Sequence, residues 1–221
     1  MRTPGDDLAL AVGFLYAEGV LTQRSDLIDT QQQDNKINLI LNDTSDEKIK
    51  QLDRHFYTSS SCGVCGKASI EALRPNIKTR PTSFIQVTGT QLTSLPDKLR
   101  EAQKVFENTG GIHAAALFST EGQLLRLCED VGRHNALDKL IGQAFLADED
   151  LSTSLLLLSG RISFELVHKA TMAQISIIAA IGAPSTLAIE TAEAFDISLI
   201  GFLSQEGFNC YHGDERLRIG G

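Results

Sequence analysis

Cys62 and Cys65 stand one helical turn apart in the run Ser59-Ser60-Ser61-Cys62-Gly63-Val64-Cys65-Gly66-Lys67. A serine-rich loop precedes them, and a short helix from about Gly66 to Leu73 is expected to follow. A thiol at a helix start lies where unpaired backbone N–H groups and the helix dipole favour an anion. Cys62 is therefore expected to ionise more readily than a free cysteine. The thiolate is the form that attacks sulfur, carries sulfur or binds metal. Gly63 and Gly66 keep the backbone slim, so a partner's reactive atom can approach closely. Three chemistries compete for this motif: sulfur transfer, zinc binding and dithiol exchange. Zinc needs two further ligands at a workable spacing, and the sequence holds no second cysteine pair; Cys128 and His134 lie in distinct elements. Dithiol exchange in a thioredoxin-like setting calls for an early strand running directly into the motif helix, which is missing.

A second group of residues collects at strand ends. Asp130-Val131-Gly132-Arg133-His134-Asn135 reads as a turn from strand into helix, as do Ser159-Gly160-Arg161-Ile162-Ser163 and Gly182-Ala183-Pro184-Ser185. Pro184 suits a first helical position. Arg133 and Arg161 read as lying just inside helix starts, where a cation gains nothing from the dipole, so an anionic ligand is the expected reason for them. The last long strand exits into Phe202-Leu203-Ser204-Gln205-Glu206-Gly207. In an open α/β sheet, ligands gather at the carboxyl ends of strands, and these corners suit a phosphate or a polar heterocycle. Gly and Ser also punctuate loops in any α/β protein, so periodicity leaves both readings open. Among the histidines, His134 is the one assigned to the site. His113 opens an apolar strand beside Gly110-Gly111 and is equally structural or functional; His168 reads as packed, His55 and His212 as exposed.

The elements that must position these groups follow from hydrophobic periodicity. Leu8, Ala11, Val12 and Leu15 mark a first helix capped by Asp6 or Asp7 and ended near Gly19-Val20. A strand is expected over 36–41, and 45–57 is ambiguous between helix and twisted strand. Residues 74–90 read as a linker with one apolar run at 84–87. A helix over 90–108 carries Leu92, Leu95 and Leu99 on one face and is stopped by Gly110-Gly111. Strands over 113–119 and 123–129 form a hairpin around Glu121-Gly122. Helices over 132–146, 163–175 and 184–194 then alternate with strands over 154–159, 176–181 and 197–203, before a short strand near 208–211. This alternation implies a mainly parallel sheet covered on both faces. The fold class expected is α/β, α+β overall, with a smaller N-terminal region (1–90) ahead of an α/β/α domain (91–221).

The chain has 221 residues, a formal net charge of −8 and 42% hydrophobic residues. That charge argues against general duplex nucleic-acid binding, which needs a basic stripe. Apolar stretches are interrupted before membrane-spanning length, so no membrane association is expected. Four cysteines, with only Cys62 and Cys65 close together, do not make a disulfide scaffold. With no signal peptide in view, a reducing cytoplasm is the expected location.

These motifs, in this order, resemble the formate dehydrogenase accessory sulfurtransferases, the FdhD/NarQ family. The resemblance rests on Ser60–Gly66, Gly110–Phe118, Asp130–Lys139 and Ser159–Glu165 and extends over essentially the whole chain. It implies a cytoplasmic sulfur carrier in which Cys62 holds a persulfide received from a cysteine desulfurase and Cys65 assists or resolves it. The sulfur would pass to the molybdenum or tungsten of a bis-molybdopterin guanine dinucleotide cofactor, held as substrate, before its insertion into the formate dehydrogenase catalytic subunit. No intrinsic metal is implied. The family's cofactor-binding stretch aligns with Phe202, Leu203, Ser204, Gln205, Glu206 and Gly207, although relatives often carry a basic residue there. Arg133, His134 and Arg161 join it as expected cofactor contacts. The resemblance further implies a cytidine-deaminase-like C-terminal domain without the deaminase zinc signature, a homodimer, and a chain that lacks the family's amino-terminal segment.

Overall fold

The structure is a computed structural model that describes residues 1–45, 48–49, 80–103 and 110–218. It opens with helix α1 (Asp7–Ala17) and a hairpin of β1 (Leu27–Gln33) and β2 (Lys36–Leu41). A short β3 (Val87–Thr88) leads into α2 (Gly89–Ala102). Then come β4 (His113–Phe118), β5 (Leu124–Asp130), α3 (Arg133–Leu146), β6 (Leu155–Leu158), α4 (Phe164–Met172) and β7 (Ile177–Ala180). The chain continues through α5 (Thr186–Phe195), β8 (Ser198–Gly201), β9 (Asn209–His212) and β10 (Leu217–Arg218). Cys62, Cys65, the expected 66–73 helix and most of 45–57 lie outside the described residues.

The main sheet has the strand order β5-β4-β6-β7-β8-β9. Its centre, β6-β7-β8, is parallel, because each of these strands is followed by a crossover helix or joined through one. β4 runs antiparallel to both neighbours and β9 antiparallel to β8, so β5, β6, β7 and β8 all point the same way. Their carboxyl ends lie on one edge of the molecule, together with the first residue of β4, His113.

Side-chain alternation splits each strand between two cores. Ala115, Leu117, Leu156, Leu158, Ile178, Ala180 and Leu199 face α3, α4 and α5. Ala114, Ala116, Phe118, Leu155, Leu157, Ile177, Ala179 and Ile200 face Leu92, Leu95 and Leu99 of α2. The runs at β6 and β7 are uniformly apolar because both faces are covered. Burial of each Leu or Ile contributes about 1.5–3 kcal/mol.

α1 lies on α3 with backbone touching backbone. A Cβ on Gly13 would stand 1.8 Å from the Asp138 carbonyl oxygen, and one on Gly142 would stand 1.8 Å from that of Ala9. The same interface buries a Lys169–Asp138 ion pair at 2.7 Å, with the Lys169 ammonium 5.4 Å from the centre of the Phe14 ring.

Four local expectations need correction. The helix expected over 90–108 closes at Ala102, with Gln103 as its C-cap, and 104–108 lie outside the described residues. Arg161 is not inside a helix: it precedes the N-cap Ser163 and is exposed. Pro184 precedes the N-cap Ser185, which hands the first helical position to Thr186, and Pro184 instead forms a parallel bridge with Ile162. β1 was not foreseen, because Gln31-Gln32-Gln33 masks its pairing with β2 across Asp34-Asn35.

Candidate functional site

Four loops leave the strand carboxyl ends, and hydrogen bonds tie three of them to their neighbours in sequence. After β6, the Ile162 N–H donates to the Ala183 carbonyl at 3.0 Å, and the Ser185 N–H returns a bond to the Ile162 carbonyl at 2.9 Å. After β8, the Phe202 N–H donates to the Gly182 carbonyl (3.2 Å) and the Leu203 N–H to that of Ala180 (2.9 Å). Glycines permit this closeness. A Cβ on Gly182 would lie 2.8 Å from the Gly160 backbone, and one on Gly201 would lie 2.7 Å from the Pro184 ring. The result is a shelf with little side-chain cover.

The loop after β5 is built on Asp130, a fully buried carboxylate. It accepts hydrogen bonds from the Gly132 N–H (3.0 Å), Asn135 Nδ2 (3.0 Å) and the Thr3 N–H (3.0 Å), and pairs with Lys139 at 2.8 Å. Burial alone would raise its pKa, but the Lys139 ammonium and these donors hold it below the usual carboxylate range. Asp130 thereby sets the direction in which α3 begins, with Arg133 and His134 in its first turn.

His134 joins this loop to the next. Its Nε2 lies 3.2 Å from Ser163 Oγ and 3.9 Å from the Glu165 carboxylate. Burial pushes the Glu165 carboxyl upward, but hydrogen bonds from His134, Ser163 and its own backbone outweigh it and bring the pKa to about 2. Because Ser163 Oγ is turned toward His134, α4 has no side-chain cap, and neither has α3. The first N–H groups of α3 are thus free of side-chain oxygens, an arrangement suited to an anion, whereas at α4 the Glu165 carboxylate already takes its own backbone N–H. By contrast α5 is capped by Ser185 Oγ, which accepts from the Ala188 N–H at 3.2 Å. Arg133 Nε is buried and has no hydrogen-bond acceptor among the described residues.

The stretch after β8 divides. Phe202 adopts a left-handed φ of 53°, rare for a bulky residue, and its ring is half exposed. Leu203 is 1% exposed and packs into the α2-side core, so its side chain belongs to the core. Gln205 hydrogen-bonds Asp97 of α2. Ser204 Oγ bonds the Gly207 carbonyl and accepts from the Glu206 N–H, so 204–207 closes on itself. Of this stretch, Phe202 offers the largest apolar surface to the strand ends.

Arg133, His134, Arg161 and Phe202 therefore share one edge of the sheet. Sequence reasoning passed over Ser163 and Glu165; a serine directly before an apolar helical run was the available signal. Behind the first turn of α3 lies a cavity of about 460 Å³, whose lining includes Arg2, Phe14, Asn135 and Asp138. Among the described residues, no helix is long and apolar enough to cross a membrane.

This is an open-sheet α/β protein whose polar loops and two arginines gather at the carboxyl ends of its parallel strands. The chain belongs to the FdhD/NarQ family, whose profile matches residues 1–218. It is 47% identical to the sulfur carrier protein FdhD of Streptomyces coelicolor, over 99% of this chain and 82% of that one. Identity is 45% to the sulfur carrier protein FdhD of Saccharolobus solfataricus (98% and 82% covered) and 44% to that of Mycobacterium tuberculosis (98% and 84%). A crystal structure of a protein from Desulfotalea psychrophila, assigned as a formate dehydrogenase accessory protein, superposes with a TM-score of 0.76. It is 21% identical and covers 99% of this chain and 82% of its own, and so shares the fold.

Proposed function

We propose that this chain is a sulfur carrier serving formate dehydrogenase, and that Cys62 carries the sulfur as a persulfide. The observation that supports it most is the Cys62-Gly63-Val64-Cys65 motif in a chain whose family relatives at 41–47% identity bear the name sulfur carrier protein. In the loading step the Cys62 thiolate attacks the outer sulfur of a persulfide on a cysteine desulfurase. One S–S bond breaks as another forms, and the desulfurase leaves as a thiolate. In the unloading step Cys65 attacks Cys62 Sγ, releasing hydrosulfide and leaving a Cys62–Cys65 disulfide. The cysteine pair thus supplies the two electrons that convert sulfane sulfur to sulfide.

The acceptor is a guanine-dinucleotide molybdopterin cofactor, handled as substrate and later delivered to the formate dehydrogenase catalytic subunit. The strand-end shelf suits its anionic and planar parts. Arg133, Arg161 and the uncapped start of α3 favour phosphate oxygens, His134 offers a hydrogen-bonding ring, and the Phe202 ring can stack on a heterocycle. Of Leu203–Gly207, backbone groups rather than side chains would make the contact. A reducing cytoplasm suits a carrier that must keep its thiols free.

Mass spectrometry after incubation with cysteine and a desulfurase tests the carrier. A gain of one sulfur mapped to Cys62, absent in Cys62→Ala, is the expected result. Loss of two hydrogens across the pair without added sulfur would instead make it a dithiol oxidoreductase. In cells, Cys62→Ala is expected to abolish maturation of formate dehydrogenase, and undiminished enzyme activity would refute the assignment.

A further inference from the structure

Among the described residues, His113 is a second histidine on the strand-end edge, beside His134. Because β4 runs against its neighbours, its first residue is delivered to the edge where β5 and β6 end. The His113 ring lies against Gly160: a Cβ there would come within 3.1 Å of Nδ1 and 3.2 Å of Cε1. Gly160 is thus the glycine that makes room for an imidazole on the shelf. No hydrogen bond from a described group reaches that ring, and the neighbouring Ser159 Oγ accepts from the Ala114 N–H at 2.8 Å. Close by in electrostatic terms is Arg133, whose Nε is buried without an acceptor.

We propose that His113 is a further ligand-binding residue: with Arg133 it forms a phosphate subsite on the Gly160–Gly182 shelf and takes up a proton when the anionic ligand arrives. This rests on the reading of the strand ends as the nucleotide site and adds a residue to it. The physical argument is charge balance. Burial first, and the Arg133 cation second, hold the His113 pKa below its ordinary value, so at neutral pH the ring is uncharged beside Arg133. A phosphate group offsets Arg133 and offers a charged acceptor, and both changes favour the imidazolium. Most other charged or titratable groups on the surrounding elements already have partners. Asp130 of β5 is matched to Lys139, Glu129 is engaged by Gln103 at 3.5 Å, His134 faces Ser163 and Glu165, and Arg161 is exposed on the loop after β6.

The test is calorimetric titration of the full chain with GDP, in buffers of different ionisation enthalpy, for the wild type, His113→Gln and Gly160→Ala. Wild-type binding is expected with net proton uptake beyond that of the variant. His113→Gln should bind about tenfold more weakly, the loss of one hydrogen bond to a charged group, and Gly160→Ala should lose affinity by displacing the ring. Guanosine, which lacks phosphate, should bind wild type and His113→Gln alike. Nuclear magnetic resonance of the wild type gives a readout that does not depend on a variant folding: the His113 Cε1 proton should titrate at higher pH once GDP is added. GDP binding with equal affinity and equal proton uptake in wild type and His113→Gln, or an unmoved His113 titration, overturns the assignment of His113 alone. Failure of the wild type to bind GDP at all overturns both the nucleotide reading and this one.

Discussion

Asp130 shows how much of the strand-end edge depends on one carboxylate. It is wholly buried, yet Lys139 and three further donors match its charge. Asp130→Ala would leave Lys139 buried without its partner, a loss of about 3 kcal/mol or more, measurable by urea unfolding. Because the same side chain orients the first turn of α3, the variant should also lose GDP affinity. Residues differ in how readily the sequence reveals their task. Arg133 and His134 were placed at a helix start from a strand-to-helix junction, and the first turn of α3 is where they stand. Arg161 was placed on the right loop but not on the right side of the helix start, because Ser163 takes the capping position. Leu203 looked like part of a ligand loop and is core, since its burial depends on α2 lying beneath it. His113 was undecidable in one dimension: whether it reaches the site depends on the direction of β4, which pairwise strand order sets and local composition does not.

At the scale of elements, the crossing of α1 and α3 is the tightest constraint described. Gly13 and Gly142 each face backbone at a distance no Cβ tolerates. Gly13→Ala or Gly142→Ala should push the helices apart and cost about 3 kcal/mol or more, seen as a lowered Tm; wild-type stability in both variants would contradict the packing. Helices and central strands were readable because apolar residues recur at 3.6 or run unbroken through β6 and β7. The β1–β2 hairpin was half legible, since β2 alternates while β1 is mostly exposed and polar. The early end of α2 was missed because its apolar face continues in the sequence past Ala102, so periodicity alone could not mark the stop.

For the whole molecule, buried titratable groups set how stability depends on pH. His168 in α4 is 6% exposed, its Nε2 has no hydrogen-bond partner among the described residues, and burial with the adjacent Lys169 charge lowers its pKa to about 4. Above the ordinary histidine value of 6.5 the ring is neutral in both folded and unfolded chains. As pH falls below 6.5 the unfolded chain gains a proton that the folded chain refuses, so stability declines until about pH 4, by up to about 3 kcal/mol. His168→Met should flatten that slope in unfolding measured from pH 7 to 4; an unchanged slope would acquit His168. Glu165 and Asp26, each brought to about 2, add a second loss as pH falls from their ordinary values of 4.5 and 3.8. Asp138, raised by burial, works against it, because the folded chain takes that proton first. The bonds that link the loops after β6, β7 and β8 have a kinetic corollary. The amides of Ile162, Ser185 and Phe202 close onto a neighbouring loop and that of Leu203 onto the end of β7, so none can meet solvent until that contact parts. In deuterium they should exchange as a single cooperative unit, and an occupant resting on any one loop should slow all four together.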